Sequence, residues 1–134
     1  MPGSFFDTNV LVYLMLDDDA KAETAEKLIA NGGTISVQVL NEIANVGRRK
    51  RQRSWAEVRA LLGTLTELLH VEPLTTAIHV LGVGLSERYR IAVYDAMIVA
   101  AALSSDCDTL WSEDMQDGLV IEKQLVIRNP FRPA

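Results

Sequence analysis

Cysteine is almost missing from this chain: Cys107 stands alone in 134 residues. One thiol closes no disulfide within the chain, so the fold is expected to rest on packing, in a cytoplasmic setting. Histidine is nearly as scarce, with only His70 and His79. So few nitrogen and sulfur ligands argue against a structural zinc site. No apolar stretch approaches the ~20 residues that span a bilayer. The longest, Ala96 to Leu103, suits a buried helix instead. The first residues carry neither a basic segment nor a small-residue cleavage site, so no secretory leader and no membrane partner are expected. Repeats, low-complexity segments and linkers are absent too. Gly82-Val83-Gly84 lies inside a helical pattern and lacks the strand-to-helix turn of a dinucleotide loop.

What is present is a globular composition. Hydrophobic residues make up 49% of the chain, enough for a real core in one domain, residues 1–134. The net charge of −5 speaks against a general nucleic-acid binder. Its distribution says more. Arg48, Arg49, Lys50, Arg51 and Arg53 crowd into six positions, while Asp17, Asp18 and Asp19 form an acidic run elsewhere. The basic run is open to two readings: a solvated helix end favoured by the helix dipole, or a strip that holds a phosphate backbone.

Apolar periodicity and capping residues divide the chain into short strands and helices. Strands are expected at Ser4–Phe6, Thr34–Val37, Val71–Leu74, Asp108–Ser112 and Leu125–Ile127. Pro73 marks the third as short or at an edge. Helices are expected at Val10–Leu16, Ala20–Ala30, Val39–Lys50, Trp55–Leu69, Thr76–Arg88 and Asp95–Leu103. Asn31-Gly32-Gly33 supplies a left-handed stop. Ser54 with Glu57 makes a capping box. Strands alternating with helices predict a parallel sheet covered on both faces, with its functional crevice beyond the carboxyl ends of the strands. Asp7 and Asp114 both follow strands and are expected on that edge.

Four acids stand where local structure does not obviously call for them. Asp7, with Thr8 and Asn9 beside it, either caps a helix or offers oxygen donors to a site. Glu42 lies mid-helix with Gln38, Asn41 and Asn45 on its polar side, which faces water or lines a wet cleft. Asp95 opens a helix that is apolar all round and therefore buried, where an unpaired carboxylate is costly. Asp114 lies in a turn after a strand, with Glu113 and Asp117 as auxiliaries or alternatives. Clustered acids repel one another, and hard divalent cations want oxygen ligands. A site built from Asp7, Glu42, Asp95 and Asp114 thus predicts one or two Mg²⁺ or Mn²⁺ ions.

These residues resemble the PIN-domain ribonucleases, and most of all the VapC-type toxins of bacterial toxin–antitoxin modules. The carriers are Phe5-Phe6-Asp7-Thr8-Asn9-Val10-Leu11, Ser36-Val37-Gln38-Val39-Leu40-Asn41-Glu42, Tyr94-Asp95-Ala96-Met97-Ile98-Val99-Ala100-Ala101-Ala102 and Leu110-Trp111-Ser112-Glu113-Asp114-Met115, in that order along nearly the whole chain. The resemblance implies a three-layer α/β/α fold around a mostly parallel five-stranded sheet. It implies that Asp7, Glu42, Asp95 and Asp114 are catalytic and bind the metal, supported by Thr8, Asn9 and Ser112. Asp117 matches a position that carries an acid in some members only. It further implies metal-dependent RNA cleavage leaving a 3′-hydroxyl and a 5′-phosphate, a homodimer, and a separate antitoxin chain that occupies the cleft.

Other classes fit less well. A phosphoacceptor receiver needs a lysine after its last catalytic strand, and none is near Asp114. A haloacid-dehalogenase-like phosphatase needs Asp-x-Asp after the first strand, where Asn9 takes the second place. A PIN nuclease of RNA processing and a non-catalytic PIN scaffold remain as alternatives within the family.

Overall fold

The computed structural model describes residues 3–132. Strand β1 (Ser4–Phe6) leads into a short helix α1 (Thr8–Leu11), a 3-10 turn (Val12–Met15) and α2 (Asp19–Ala30). Strand β2 (Thr34–Ser36) is followed by α3 (Val37–Asn45), a π turn (Val46–Lys50) and α4 (Trp55–Leu68). After β3 (His70–Glu72) come α5 (Thr76–Tyr89), α6 (Val93–Ser104), β4 (Thr109–Trp111), β5 (Val120–Ile121) and β6 (Leu125–Arg128).

The sheet has the order β3-β2-β1-β4-β6-β5. Its first five strands are all parallel, the arrangement that alternating strands and helices predicted. The sixth, β5, pairs antiparallel with β6 and was not expected. Two residues show no periodicity; only the partner strand makes them a strand. Pro73 directly follows β3, which is an edge strand.

Several boundaries shift for local reasons. Helix α1 begins at Thr8 rather than Val10 because the Asp7 side chain accepts the Thr8 N–H. Helix α3 begins at Val37, capped by Ser36, and gives way to the π turn after Asn45. The capping box of Ser54 and Glu57 is formed as expected. Helix α6 begins at Val93, so Asp95 lies within its first turn.

The core lies on the two faces of the sheet. Phe5, Phe6, Ile35 and Leu110 are fully buried on the central strands. Every residue from Ala96 to Ala102 is buried, which explains an apolar pattern that favours no helical face. Helix α2 stops at a turn where Gly33 has φ +148, and a Cβ there would stand 2.6 Å from Phe6 Cε2 and 2.8 Å from the Ser4 carbonyl oxygen. Gly33→Ala should therefore lower stability by ~2–3 kcal/mol through backbone strain and overpacking, read as a lower midpoint in urea with an unchanged slope.

Candidate functional site

Topology gathers the acids at one edge. Phe6 of β1 pairs with Trp111 of β4, so the two parallel strands end side by side. Asp7 follows the first directly and Asp114 follows the second after Ser112 and Glu113. Helix α3 leaves the carboxyl end of β2 and carries Glu42. A helix that leads into a parallel strand runs back across the sheet. The first turn of α6, with Asp95, therefore lies at the same edge.

Asp7 is only 3% exposed. Its Oδ1 accepts the Thr8 N–H at 2.7 Å. Its Oδ2 accepts the Ser112 hydroxyl at 2.8 Å and the Asn9 amide at 3.1 Å. Asn9 Oδ1 in turn accepts the Glu113 N–H at 2.9 Å. Glu42 is held at both oxygens: Thr8 Oγ1 donates to Oε1 at 2.7 Å and Gln38 Nε2 to Oε2 at 2.8 Å. Asp7, Glu42, Asp95 and Asp114 all line one cleft of about 550 Å³, with Asn41 and Asn45 on the same wall.

Burial dominates the electrostatics. It pushes the Asp7 carboxyl up to about 7, against hydrogen bonds from Ser112 and Thr8 that pull it down, and the charges of Asp95 and Glu42 push it further up. Burial also raises Asp95, followed by repulsion from Glu42 and Asp114. Asp95 thus feels the charge of two other acids of the cleft. Among the described residues, no lysine or arginine forms an ion pair with any of the four.

This donor set suits a hard divalent cation. All four side chains offer oxygen, one of them is buried and lacks a counter-charge, and their mutual repulsion leaves room for positive charge. Among the described residues no three acid, histidine or cysteine side chains stand together as a ready-made cage. The arrangement fits an ion that takes one or two carboxylates and completes its shell with water or phosphate oxygens, as Mg²⁺ commonly does.

Other predicted residues divide. Lys50 and Arg51 line the same cleft as the acids. Arg48 does not; its guanidinium stacks over the Trp55 ring at 4.7 Å and donates to the Arg53 carbonyl oxygen at 2.8 Å. Arg53 pairs with Glu57 at 3.6 Å and Asp17 at 3.9 Å. Arg49 is exposed and outside the cleft lining. Asp117 is not brought to the acids: it accepts the Asn129 N–H at 2.8 Å and lies 3.6 Å from Arg132. Tyr13, Lys21 and Glu113 form a network beside the cleft that the sequence did not reveal. Tyr13 and Lys21 sit on different helical segments, and no motif marks their contact.

The PIN domain family model matches residues 4–116. The chain belongs to the PIN domain family. Among solved structures, VapC20 of Mycobacterium tuberculosis, described as a sarcin-ricin loop cleaving toxin, has 23% identity and a TM-score of 0.69 over 83% of this chain and 89% of that one. A toxin–antitoxin complex from Klebsiella pneumoniae has 21% identity and a TM-score of 0.70 over 97% and 99%. The DNA-bound VapBC of Salmonella typhimurium has 18% identity and a TM-score of 0.69 over the same shares, 97% and 99%. No curated protein matches. Among the described residues no helix of this PIN domain is long and apolar enough to cross a membrane.

The raised Asp7 pKa has a consequence for the metal-free protein. Folding favours the neutral carboxyl, so its contribution is full below the ordinary 3.8 and is lost as pH rises through about 7. That rise corresponds to an upper bound of about 4 kcal/mol at pH 8. Asn at this position stays neutral but loses one acceptor, which returns about 1–2 kcal/mol. In EDTA, Asp7→Asn should be more stable than the parent at pH 8, by about 2 kcal/mol. The advantage should shrink steadily in urea titrations taken down to pH 4.5.

Proposed function

We propose that this PIN domain is a Mg²⁺- or Mn²⁺-dependent endoribonuclease, the toxin of a type II toxin–antitoxin module. The observation that carries this reading is the buried Asp7 carboxylate, without a cationic partner, in the cleft that Glu42, Asp95 and Asp114 also line. The fold likeness to a toxin described as cleaving the sarcin-ricin loop, and to toxin–antitoxin complexes, supports it. On this reading the protein works as a cytoplasmic homodimer, and a separate antitoxin chain silences it by filling the cleft.

Asp7, Glu42 and Asp95 would hold the first ion, with Asp114 completing the set or touching a second. When bound, the ion supplies an ionisable water near neutral pH and a counter-charge for the phosphoryl oxygens. The chain's own residues do the rest. Ser112 and Asn9 hold one oxygen of Asp7, which fixes the direction of the carboxylate. Thr8 and Gln38 do the same for Glu42, with one donor to each oxygen. Lys50 and Arg51, which line the same cleft, would receive backbone phosphates. Water attacks phosphorus in line, the P–O3′ bond breaks, and the products carry a 5′-phosphate and a 3′-hydroxyl.

The test is cleavage of structured ribosomal RNA fragments by the purified chain, with Mg²⁺ and with EDTA. Asp7→Asn and Glu42→Gln should each slow cleavage by about 10²–10³-fold without unfolding the protein. Mg²⁺ should raise the melting temperature of the parent at pH 8 but not that of Asp7→Asn. Undiminished cleavage by Asp7→Asn would overturn the site, and a parent chain that cuts no RNA under any metal condition would favour the scaffold reading.

The basic run makes a separate prediction. Lys50→Ala and Arg51→Ala should weaken RNA binding and each reduce the salt slope of log K by about 1. Arg48→Ala should leave that slope unchanged and lower stability instead, because its partners are Trp55 and the Arg53 carbonyl group.

A further inference from the structure

A charged and aromatic knot lies against the cleft, and no step of the proposed reaction uses it. Glu113 stands in the chain between Ser112, which is bonded to Asp7, and Asp114. Its side chain also lines the cleft, yet both carboxylate oxygens are occupied. Tyr13 OH donates to Oε1 at 2.6 Å, and Lys21 Nζ donates to Oε2 at 2.5 Å. The same ammonium lies 3.2 Å from the Tyr13 hydroxyl oxygen. It also stands over two rings, 4.8 Å from the Tyr13 centroid and 5.1 Å from that of Phe131. Those rings meet edge-on at 5.1 Å.

Two physical consequences follow from this packing. A free Glu113 carboxylate would add a fifth negative charge to a cleft whose acids already repel one another, and the Lys21 ammonium cancels it. The turn after β4 is also held at two points of one residue. The Glu113 N–H is bonded to Asn9 and its side chain to α2 and the 3-10 turn. Asp114, the next residue, is exposed and has no side-chain hydrogen bond of its own among the described residues. Its direction therefore depends on how firmly Glu113 is anchored.

We propose that Lys21 is a positioning residue: through Glu113 and Tyr13 it fixes the turn that carries Asp114 and withdraws Glu113 from the acid cluster. The effect on turnover rests on the ribonuclease reading; the ordering of the turn does not.

Four full-length variants test it: Lys21→Met, Lys21→Arg, Glu113→Gln, and Lys21→Met with Glu113→Gln. In the metal-free protein, hydrogen exchange by NMR should speed up about tenfold at the Glu113 amide in Lys21→Met, with the amides of α6 unchanged as a control for global stability. Lys21→Arg should recover most of the protection. In the cleavage assay, Lys21→Met should lower kcat about tenfold with the RNA KM within about twofold, and Lys21→Arg should restore most of the rate. The double variant should be no slower than Lys21→Met, because both changes break one link. Unchanged exchange at Glu113, unchanged kcat, or additive losses in the double variant would each overturn the proposal. A parent chain that cleaves no RNA would overturn the ribonuclease reading, while the exchange measurement would still decide the role of Lys21 in the turn.

Discussion

The buried carboxylate of Asp7 is the constraint around which the rest is arranged. Taking a carboxylate out of water is costly, and hydrogen bonds offset only part of that cost. Its donors come from two places: Thr8 and Asn9 at the start of α1, and Ser112 just past β4. The same junction is closed by backbone, since the Asp7 N–H donates to the Trp111 carbonyl oxygen at 2.9 Å. The pairing of β1 with β4 and the orientation of Asp7 are therefore one structural fact. A slip in that register would scatter the donors and leave the acid unsatisfied. The remaining penalty shows in the pKa of about 7, and it is the reason a cation belongs in the proposed function.

Around that group, each acid is held by a different device. Glu42 is braced by hydrogen bonds from Thr8 and Gln38. Asp95 lies in the first turn of α6, where the helix dipole favours negative charge. Asp114 depends on its turn. Only Asp7 is deeply buried; Asp114 is exposed. The cleft therefore grades from a dry, fixed end to a wet, adjustable one. Lys50 and Arg51 line the same cleft.

Much of this was legible because it rests on short-range chemistry. Asp-Thr-Asn after an apolar strand announces both a cap and a donor set. The uniformly apolar stretch from Ala96 to Ala102 can only be a buried helix, and it is. The alternation of strands and helices sufficed for five parallel strands and for placing Asp7 and Asp114 on one edge. What escaped depends on partners far along the chain. Strand β5 exists only through β6. The knot of Tyr13, Lys21, Glu113 and Phe131 joins four separate segments without a spacing rule. Asp117 resembles its neighbours in sequence, but Asn129 and Arg132 turn it to another task.

The basic run shows why composition alone misleads at such a site. Five cations within six positions read as one patch, yet their contacts divide them. The π turn at Val46–Lys50 breaks the register of α3 at a point where Gly47 leaves no side chain. A Cβ at Gly47 would meet Val58 Cγ2 at 2.9 Å and Met15 Cε at 3.2 Å. That close approach presses the end of α3 onto α4 and the 3-10 turn. Arg48 and Arg53 are drawn into this contact, over Trp55 and toward Glu57 and Asp17, and their charge is used in packing. Lys50 and Arg51, which lie between those two arginines in the chain, line the cleft. Helix α3 thus carries Glu42 on its body, and two cleft-lining cations follow beyond its end. The turn between them holds Gly47, where an added Cβ would force the Val58 side chain to shift.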